Sequence, residues 1–389
     1  MESVNVNHSN SDLNPNIFES EEWNGSFNHC SLEYAKINYI EIQFGLILLG
    51  GTTIAACGLI LNSFLFYALL ELKLSHPTSK LYLIVLAVLD IWIETSYILI
   101  FSVQVIYDYY ENFLVYKVWW HYVRPILCIS QMSQLCSAYL IVGSTIDRYY
   151  ELSKRSYKFC SLRGRCYIII VILLICALVK LSSCFEYDQM RNADCDGFSS
   201  LVIHRSKFSM HPVYSQIILV HLYPLLETVC PFIILLIFNL LIVHKLHLNE
   251  KQKTSDNHRK LVRHTYMSLR RGLKPDSNIS EILSRRRQAR NATRLTVAIA
   301  TTYLLAHSLN LLINVIQQID VAILTDHPQF YTLAITTGNL LHLTSSAMRL
   351  PLYYFTNEDI RCQVRYILRR CRRKKKCAVE STDYDEVTV

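Results

Sequence analysis

Charge is scarce in this chain: Asp, Glu, Lys and Arg together make up 18% of the 389 residues, against 51% apolar ones. The scarcity is also uneven. Blocks of about twenty or more mostly apolar residues alternate with short polar stretches, whereas a soluble chain of this length spreads its apolar residues periodically over two or more domains. No apolar core flanked by a cleavage site occurs over Met1–Asn16, so no cleaved signal peptide is expected, and the first span should serve as signal and anchor together. There is no inverted repeat and no pair of Gly/Pro-broken helices, which argues against a transporter. His121, His204, His211 and His221 lack a metal-ligand spacing, so no enzyme, catalytic residue, metal or cofactor is expected. The thirteen cysteines do not form a secreted framework, because many lie inside apolar runs as reduced, buried residues.

What is present reads as membrane-spanning helices. Apolar runs cover roughly 43–71, 79–105, a third stretch from about Trp119 to Asp147, then 166–186, 213–247, 288–320 and 329–356. Glu2, Asp12, Glu19, Glu21, Glu22, Glu33 and Glu41 precede the first run, with Lys36 as the one base among them. Basic residues crowd the stretch after the third (Lys154, Arg155, Lys158, Arg163, Arg165), the stretch after the fifth, and the tail (Arg369 to Lys376). The positive-inside rule then puts the N-terminus outside and the tail inside, which needs an odd number of spans. Nucleic-acid binding is the rival reading of the basic runs, but membrane flanks explain them more simply. The expected architecture is an all-α membrane protein: a disordered extracellular tail over 1–42, a seven-transmembrane helix bundle over 43–356 with a long cytoplasmic loop at 248–286, a short amphipathic helix over 357–371, and a cytoplasmic tail over 372–389.

Some polar residues stand alone inside apolar runs and so require partners. Asn62 is a lone amide in the first span. Asp90, at mid-membrane depth in the second, is functional by default because an unpaired carboxylate is costly there. Glu94 lies one turn further along the same face. The third span runs from Ser137 into Asp147-Arg148-Tyr149 and Leu152, and those charges should mark where it reaches the cytoplasmic surface. Arg148 offers a planar fork of five donors to the bundle interior or to a docked partner.

Asp147-Arg148-Tyr149 at the end of one hydrophobic span among seven resembles the rhodopsin-like G-protein-coupled receptors, and Asn62 and Asp90 match positions that meet inside their bundle. Pro231 in the fifth span and the degenerate Arg349-Leu350-Pro351-Leu-Tyr353-Tyr354 in the seventh extend the resemblance over roughly 43–371. Several departures are similar to invertebrate FMRFamide-type neuropeptide receptors: Tyr122-x-x-Pro125, Ser137-x-Tyr139, Phe185-Glu186, Asn239, Asn314 seven residues after His307, and Asn339-Leu-Leu. The resemblance implies an extracellular peptide ending in Arg-Phe-amide, a heterotrimeric G protein as partner, and a plasma-membrane location in contact with lipid. A cationic aromatic peptide suits outward-facing carboxylates and aromatics; Glu94, Glu186, Glu227 and Asn314 are candidates, with His307 at the pocket floor, where ligand contact and a hydrogen-bonded core histidine are both open. For Glu94 and Glu227, ligand contact and structural pairing are both open. Ser130 stands where amine receptors keep an aspartate, which argues against an amine ligand, and the seventh span has no lysine to hold retinal.

The same resemblance implies a disulfide near the mouth of the third span, but Val123 occupies the usual cysteine position. Cys128–Cys195 is the first choice, with Cys30–Cys195 and Cys184–Cys195 as alternatives. Activation should involve Asn62, Asp90, Asp147, Arg148, Tyr149, Leu152, Pro231, Asn239, Arg349, Pro351 and Tyr354. Ala289 replaces the acid that often restrains the arginine, which leaves Asp147 as its local partner and implies weak restraint with basal signalling. Asp90, Ser137 and Ser346 match parts of a sodium pocket whose fourth part is lost at Leu350; an Asp90–Arg349 pair is expected to stand in for the ion. Asn7 and Asn24 are glycosylation acceptors, Cys371 and Cys377 are candidates for palmitoylation, and the last residues, Val387-Thr-Val389, could add a strand to a PDZ domain. A chemosensory receptor for small molecules on the same scaffold is the nearest alternative.

Overall fold

The computed structural model describes residues 44–72, 81–153, 161–191, 201–248, 277–319 and 328–370. The tail 1–42 with Asn7 and Asn24, the middle of the loop 248–286, Cys30, Cys195, Cys371, Cys377 and the end of the chain lie outside the described residues. Among those residues six helices are long and apolar enough to cross a membrane: α1 (Gly45–Glu71), α2 (Leu81–Tyr110), α3 (Phe113–Leu152), α4 (Leu162–Phe185), α5 (Val213–Leu248) and, within α6 (Ser277–Ile319), the stretch Thr293–Ile319. The protein is an all-α, multi-pass membrane protein. A further helix, α7 (Pro328–Ala347, resumed as Arg349–Thr356), is not one of the six. Its sequence interleaves Thr332, Thr336, Thr337, Asn339, His342, Thr344, Ser345 and Ser346 with apolar residues. A last helix, α8, covers 358–370.

The bundle is built around α3. In its most apolar window 56% of residues are buried, against 22% for α4 and for α5, whose outward faces carry Ile170, Leu174, Leu178, Ile233 and Leu240. Such faces suit hydrocarbon, which pays no penalty for meeting leucine. Helix α1 packs through a stripe at helical spacing, Ala55, Gly58, Asn62, Leu65 and Leu69. Two glycines on that helix bring α2 unusually close. A Cβ at Gly51 would fall on the Tyr97 ring, and one at Gly58 on the Glu94 carboxyl and the Ala347 Cβ. Small residues let helix backbones approach in this way.

Two helices loosen where a side chain needs a carbonyl. In α2 the wide turns of Ile98–Ser102 leave the Leu99 oxygen to accept from the Tyr122 hydroxyl at 3.1 Å and the Ile100 oxygen from the Trp119 indole at 3.0 Å. In α5 the wide turns of Leu225–Val229 precede Pro231, which has no N–H to give. The Leu226 oxygen accepts from the Tyr139 hydroxyl of α3 instead, at 2.9 Å. Side chains that insert into the helical ladder are one recognised cause of such local irregularity.

At one end of the bundle, β1 (Tyr187–Arg191) pairs antiparallel with β2 (Leu201–Arg205), Tyr187 opposite Arg205 and Arg191 opposite Leu201. The hairpin docks on α3: Gln189 donates to the Trp120 carbonyl at 2.7 Å, and the Leu201 N–H donates to the Tyr116 hydroxyl at 3.0 Å. The disulfide beneath it corrects the expected pairing. Cys128 is bonded to Cys184, with Cα atoms 5.1 Å apart, so neither Cys128–Cys195 nor Cys184–Cys195 forms. Cys184 sits in the last turn of α4, which lies against α3 and is already within bridging distance.

At the other end α7 breaks at Met348 and restarts at Arg349, because Pro351 is tolerated in a first turn, where N–H groups lack intrahelical partners. Asn357 caps α8 by accepting from the Asp359 N–H at 3.0 Å, and burial together with nearby Glu358 raises the Asp359 carboxyl above its usual range. Ile360, Val364 and Ile367 turn α8 onto the bundle core, while Gln363 and Arg370 reach Glu71 at the end of α1, at 3.3 and 3.0 Å.

The close approach at Gly58 is testable. Gly58→Ala should lower the melting temperature of the purified protein and Gly58→Val should lower it further, an overpacking cost of about 1–3 kcal/mol. Gly45→Ala, with nothing within 4 Å of its new Cβ, should leave it unchanged; equal melting of the two alanine variants would show that α1 and α2 are not in tight contact.

Candidate functional site

A cavity of about 250 Å³ opens between α3, α5, α6 and α7. Its wall is dominated by carboxamides: Gln131 and Gln134 from α3, Asn310, Asn314 and Gln317 from α6, and Asn339 from α7. Each amide is both donor and acceptor, so such a wall matches a ligand made of peptide groups. Asn314 donates to Thr228 of α5 at 3.1 Å. His307 and His342 line the same space and share a hydrogen bond at 2.9 Å between Nε2 and Nδ1, while the His307 ring stacks on Tyr303 with centroids 4.0 Å apart. No group of three or more His, Cys, Asp or Glu is placed to hold a metal ion among the described residues.

The candidate carboxylates divide. Glu94 does not line the cavity. It is fully buried and accepts from the Asn62 amide at 2.7 Å, so structural pairing describes it and ligand contact does not. The room at Gly58 is what lets it turn inward toward α1. Glu186 is also buried away from the cavity, where it accepts from the Tyr214 hydroxyl at 2.8 Å. Glu227 does line it, and forms an ion pair with the buried Lys180 of α4.

Next to the cavity lies the polar core. Arg349 Nε is 2.9 Å from Asp90 Oδ2, and Nη2 donates to the Ser137 hydroxyl at 3.1 Å. This is the pair that an intramembrane acid and guanidinium require. Asn62 donates also to the Ser346 carbonyl at 3.2 Å, just before the break in α7, so α1, α2, α3 and α7 all meet here.

Around Arg148 the structure corrects the expected partner. Asp147 does not restrain Arg148; it is held by Arg165 of α4, at 2.9 Å from Nη2 and 3.2 Å from Nε. Successive residues of a helix point about 100° apart, so Asp147 faces α4 while Arg148 faces elsewhere. Arg148 pairs one turn along its own helix with Glu151, at 2.6 Å. Tyr149 packs edge-on against Phe238 of α5, and Leu152 is the last residue of α3. Asn239 donates to Thr301 of α6 at 3.1 Å, and the Tyr354 hydroxyl accepts from Arg365 of α8 at 3.2 Å.

Sequence reading missed the roles of Arg165, Lys180, His342 and the glutamines of α3. Arg165 and Lys180 carried a usable signal, since each charge next to or within an apolar run needs an opposite one nearby. No model of a known protein family matches the chain, and comparison with curated proteins returned no match.

The Asp90–Arg349 pair predicts a particular mutational pattern. Asp90→Asn alone strands a buried guanidinium and should destabilise the purified protein by about 3–5 kcal/mol. Asp90→Leu with Arg349→Met removes both charges and should recover most of that loss. Additive losses in the double variant would show that the two side chains do not act as a pair.

Proposed function

We propose that the chain is a seven-span receptor of the rhodopsin-like type, with α7 as the seventh span, which binds a peptide in the α3–α5–α6–α7 cavity and signals through a heterotrimeric G protein. The observation that carries this reading lies on α3. Gln131 and Gln134 face the cavity, Ser137 meets Arg349, and Asp147 and Arg148 occupy the far end of the same helix. From Gln131 to Arg148 the helix rises about 25 Å, so one rigid element touches a ligand-sized space at one level and an ordered arginine at another.

The basic stretches after the third and fifth spans support placing the Arg148 end in the cytoplasm and the hairpin end outside the plasma membrane. The amide-rich wall favours a peptide, and the motif set favours the FMRFamide type with its terminal Arg-Phe-amide. The cavity, at about 250 Å³, falls just below the roughly 300–1,000 Å³ typical of sites for drug-sized ligands, so it admits one end of a peptide. In this reading the Asp90–Arg349 pair stands in for a sodium ion, and agonist binding should therefore be the same in sodium and in potassium.

The deciding experiment expresses the receptor in cultured cells, applies amidated RF-type peptides and reads G-protein dissociation. A response at nanomolar peptide that Arg148→Ala abolishes at equal surface expression is expected. Silence from a receptor demonstrably at the surface would turn the assignment to chemosensory detection of small molecules.

A further inference from the structure

Lys180 is the single charged residue of α4 beyond its first turn, which holds Arg163 and Arg165. It is 4% exposed, near the end of α4, and a buried ammonium is costly without full compensation. Its Nζ is compensated three times. It pairs with Glu227 of α5, lies 3.4 Å from the Gln131 side-chain oxygen of α3, and sits 3.9 Å above the centre of the Tyr223 ring. That ring is itself fixed, since the Tyr223 hydroxyl meets Ser182 Oγ at 2.6 Å and the Tyr214 hydroxyl at 3.2 Å. Two of the three contacts, Glu227 and Gln131, are walls of the cavity, although Lys180 itself stands behind them.

We infer that Lys180 sets the charge selectivity of the cavity by cancelling Glu227, the single carboxylate among its lining residues, so that the cavity accepts an uncharged amide end of a ligand. The inference rests on the reading of this cavity as a ligand site. A cationic group entering it must displace an ammonium already seated on Glu227 and is repelled by that ammonium at close range. An anionic group must likewise displace Glu227 from Lys180. An uncharged amide disturbs neither, and finds the side-chain amides of Gln134, Asn310 and Asn339 as partners. For a peptide ending in Arg-Phe-amide, the phenylalanine amide enters the cavity and the guanidinium stays outside it. Because Lys180 acts through Glu227 and Gln131, it is a positioning residue. A role limited to bracing α4 against α3 and α5 would leave ligand charge preference untouched.

The test uses three probes of closely similar shape whose entering end differs in charge, on the full-length purified receptor: N-acetyl-phenylalaninamide (neutral), N-(1-amino-3-phenylpropan-2-yl)acetamide, in which an aminomethyl group replaces the carboxamide (an ammonium), and N-acetyl-phenylalaninate (an anion). Binding is followed by ligand-induced thermal shift, with no G protein present. The wild type should prefer the neutral probe by about tenfold over either ion, a difference of about 1.4 kcal/mol. Lys180→Met exposes Glu227 and should transfer the preference to the ammonium. Glu227→Gln exposes Lys180 and should transfer it to the anion, which carries the test should Lys180→Met fail to fold. Wild-type preference for the ammonium, or one ranking shared by all three proteins, would overturn the inference while leaving the cavity a ligand site. Absence of any shift with any probe in any of the proteins would overturn the ligand-site reading, and the inference with it.

Discussion

An arginine and an aspartate that leave water separately each lose several kcal/mol of hydration, and neither can stay in a bundle interior alone. Asp90 and Arg349 are there together, and much of the surrounding geometry follows from that pairing. The contact fixes the separation of α2 and α7 at mid-bundle. The fork of the guanidinium then reaches Ser137, which sets the rotation of α3 relative to both. Arg349 begins the second segment of α7, so the break at Met348 is what aims it inward. Beside it Asn62 joins Glu94 to the Ser346 carbonyl, and Gly58 leaves the space this needs.

The same constraint recurs at other levels, with α3 as the common member. Lys180 of α4 binds Glu227 of α5 and Gln131 of α3, and Arg165 at the start of α4 holds Asp147 of α3. Helix α4 has few buried residues with which to hold its place by packing. It is attached instead by a buried cation near each end and by the Cys128–Cys184 disulfide. Those three fastenings explain how a helix with so lipid-like a surface keeps a defined position.

Hydropathy made the six apolar helices legible in the sequence, because twenty-odd apolar residues in a row have few other uses. Depth was legible too: Asp90 and Arg349 each stand in an apolar run, and each therefore demanded a partner. Partner choice was less so. Lys180 and Glu227 were both visible as intramembrane charges, yet only the packing of α4 against α5 joins them. Arg165 stands beside the apolar run of α4 and so called for an acid, but only the packing of α4 against α3 makes that acid Asp147. Glu94 shares a helical face with Asp90, but the vacancy at Gly58 that turns it toward α1 lies on another helix. The cysteine pairing failed for a related reason: Cys195 was the first choice for Cys128 and Cys184 a candidate only for Cys195, and it is the placement of the last turn of α4 that brings Cys184 to Cys128.

The helices also differ in what moving them would break. A helix tied by ion pairs in a dry interior can move only if both charges travel together, because separating them exposes each to a medium that cannot solvate it. Helices α2, α3, α4, α5 and α7 are tied in this way. Within Thr293–Ile319, α6 reaches its neighbours through neutral bonds that include Asn314 to Thr228, Gln318 to His221 and to the Val220 carbonyl, Thr301 to Asn239, and His307 to His342. Amides, hydroxyls and imidazoles exchange partners with one another, or with a ligand amide, at little net cost, since a typical hydrogen bond contributes only about 1 kcal/mol net. Asn310, Asn314 and His307 of α6 line the cavity, so any amide-bearing molecule that entered it would compete for those same groups. Beside the cavity, the helix with the most side chains in its wall is thus attached through bonds that are easy to trade, and the ion-paired helices form the frame around it.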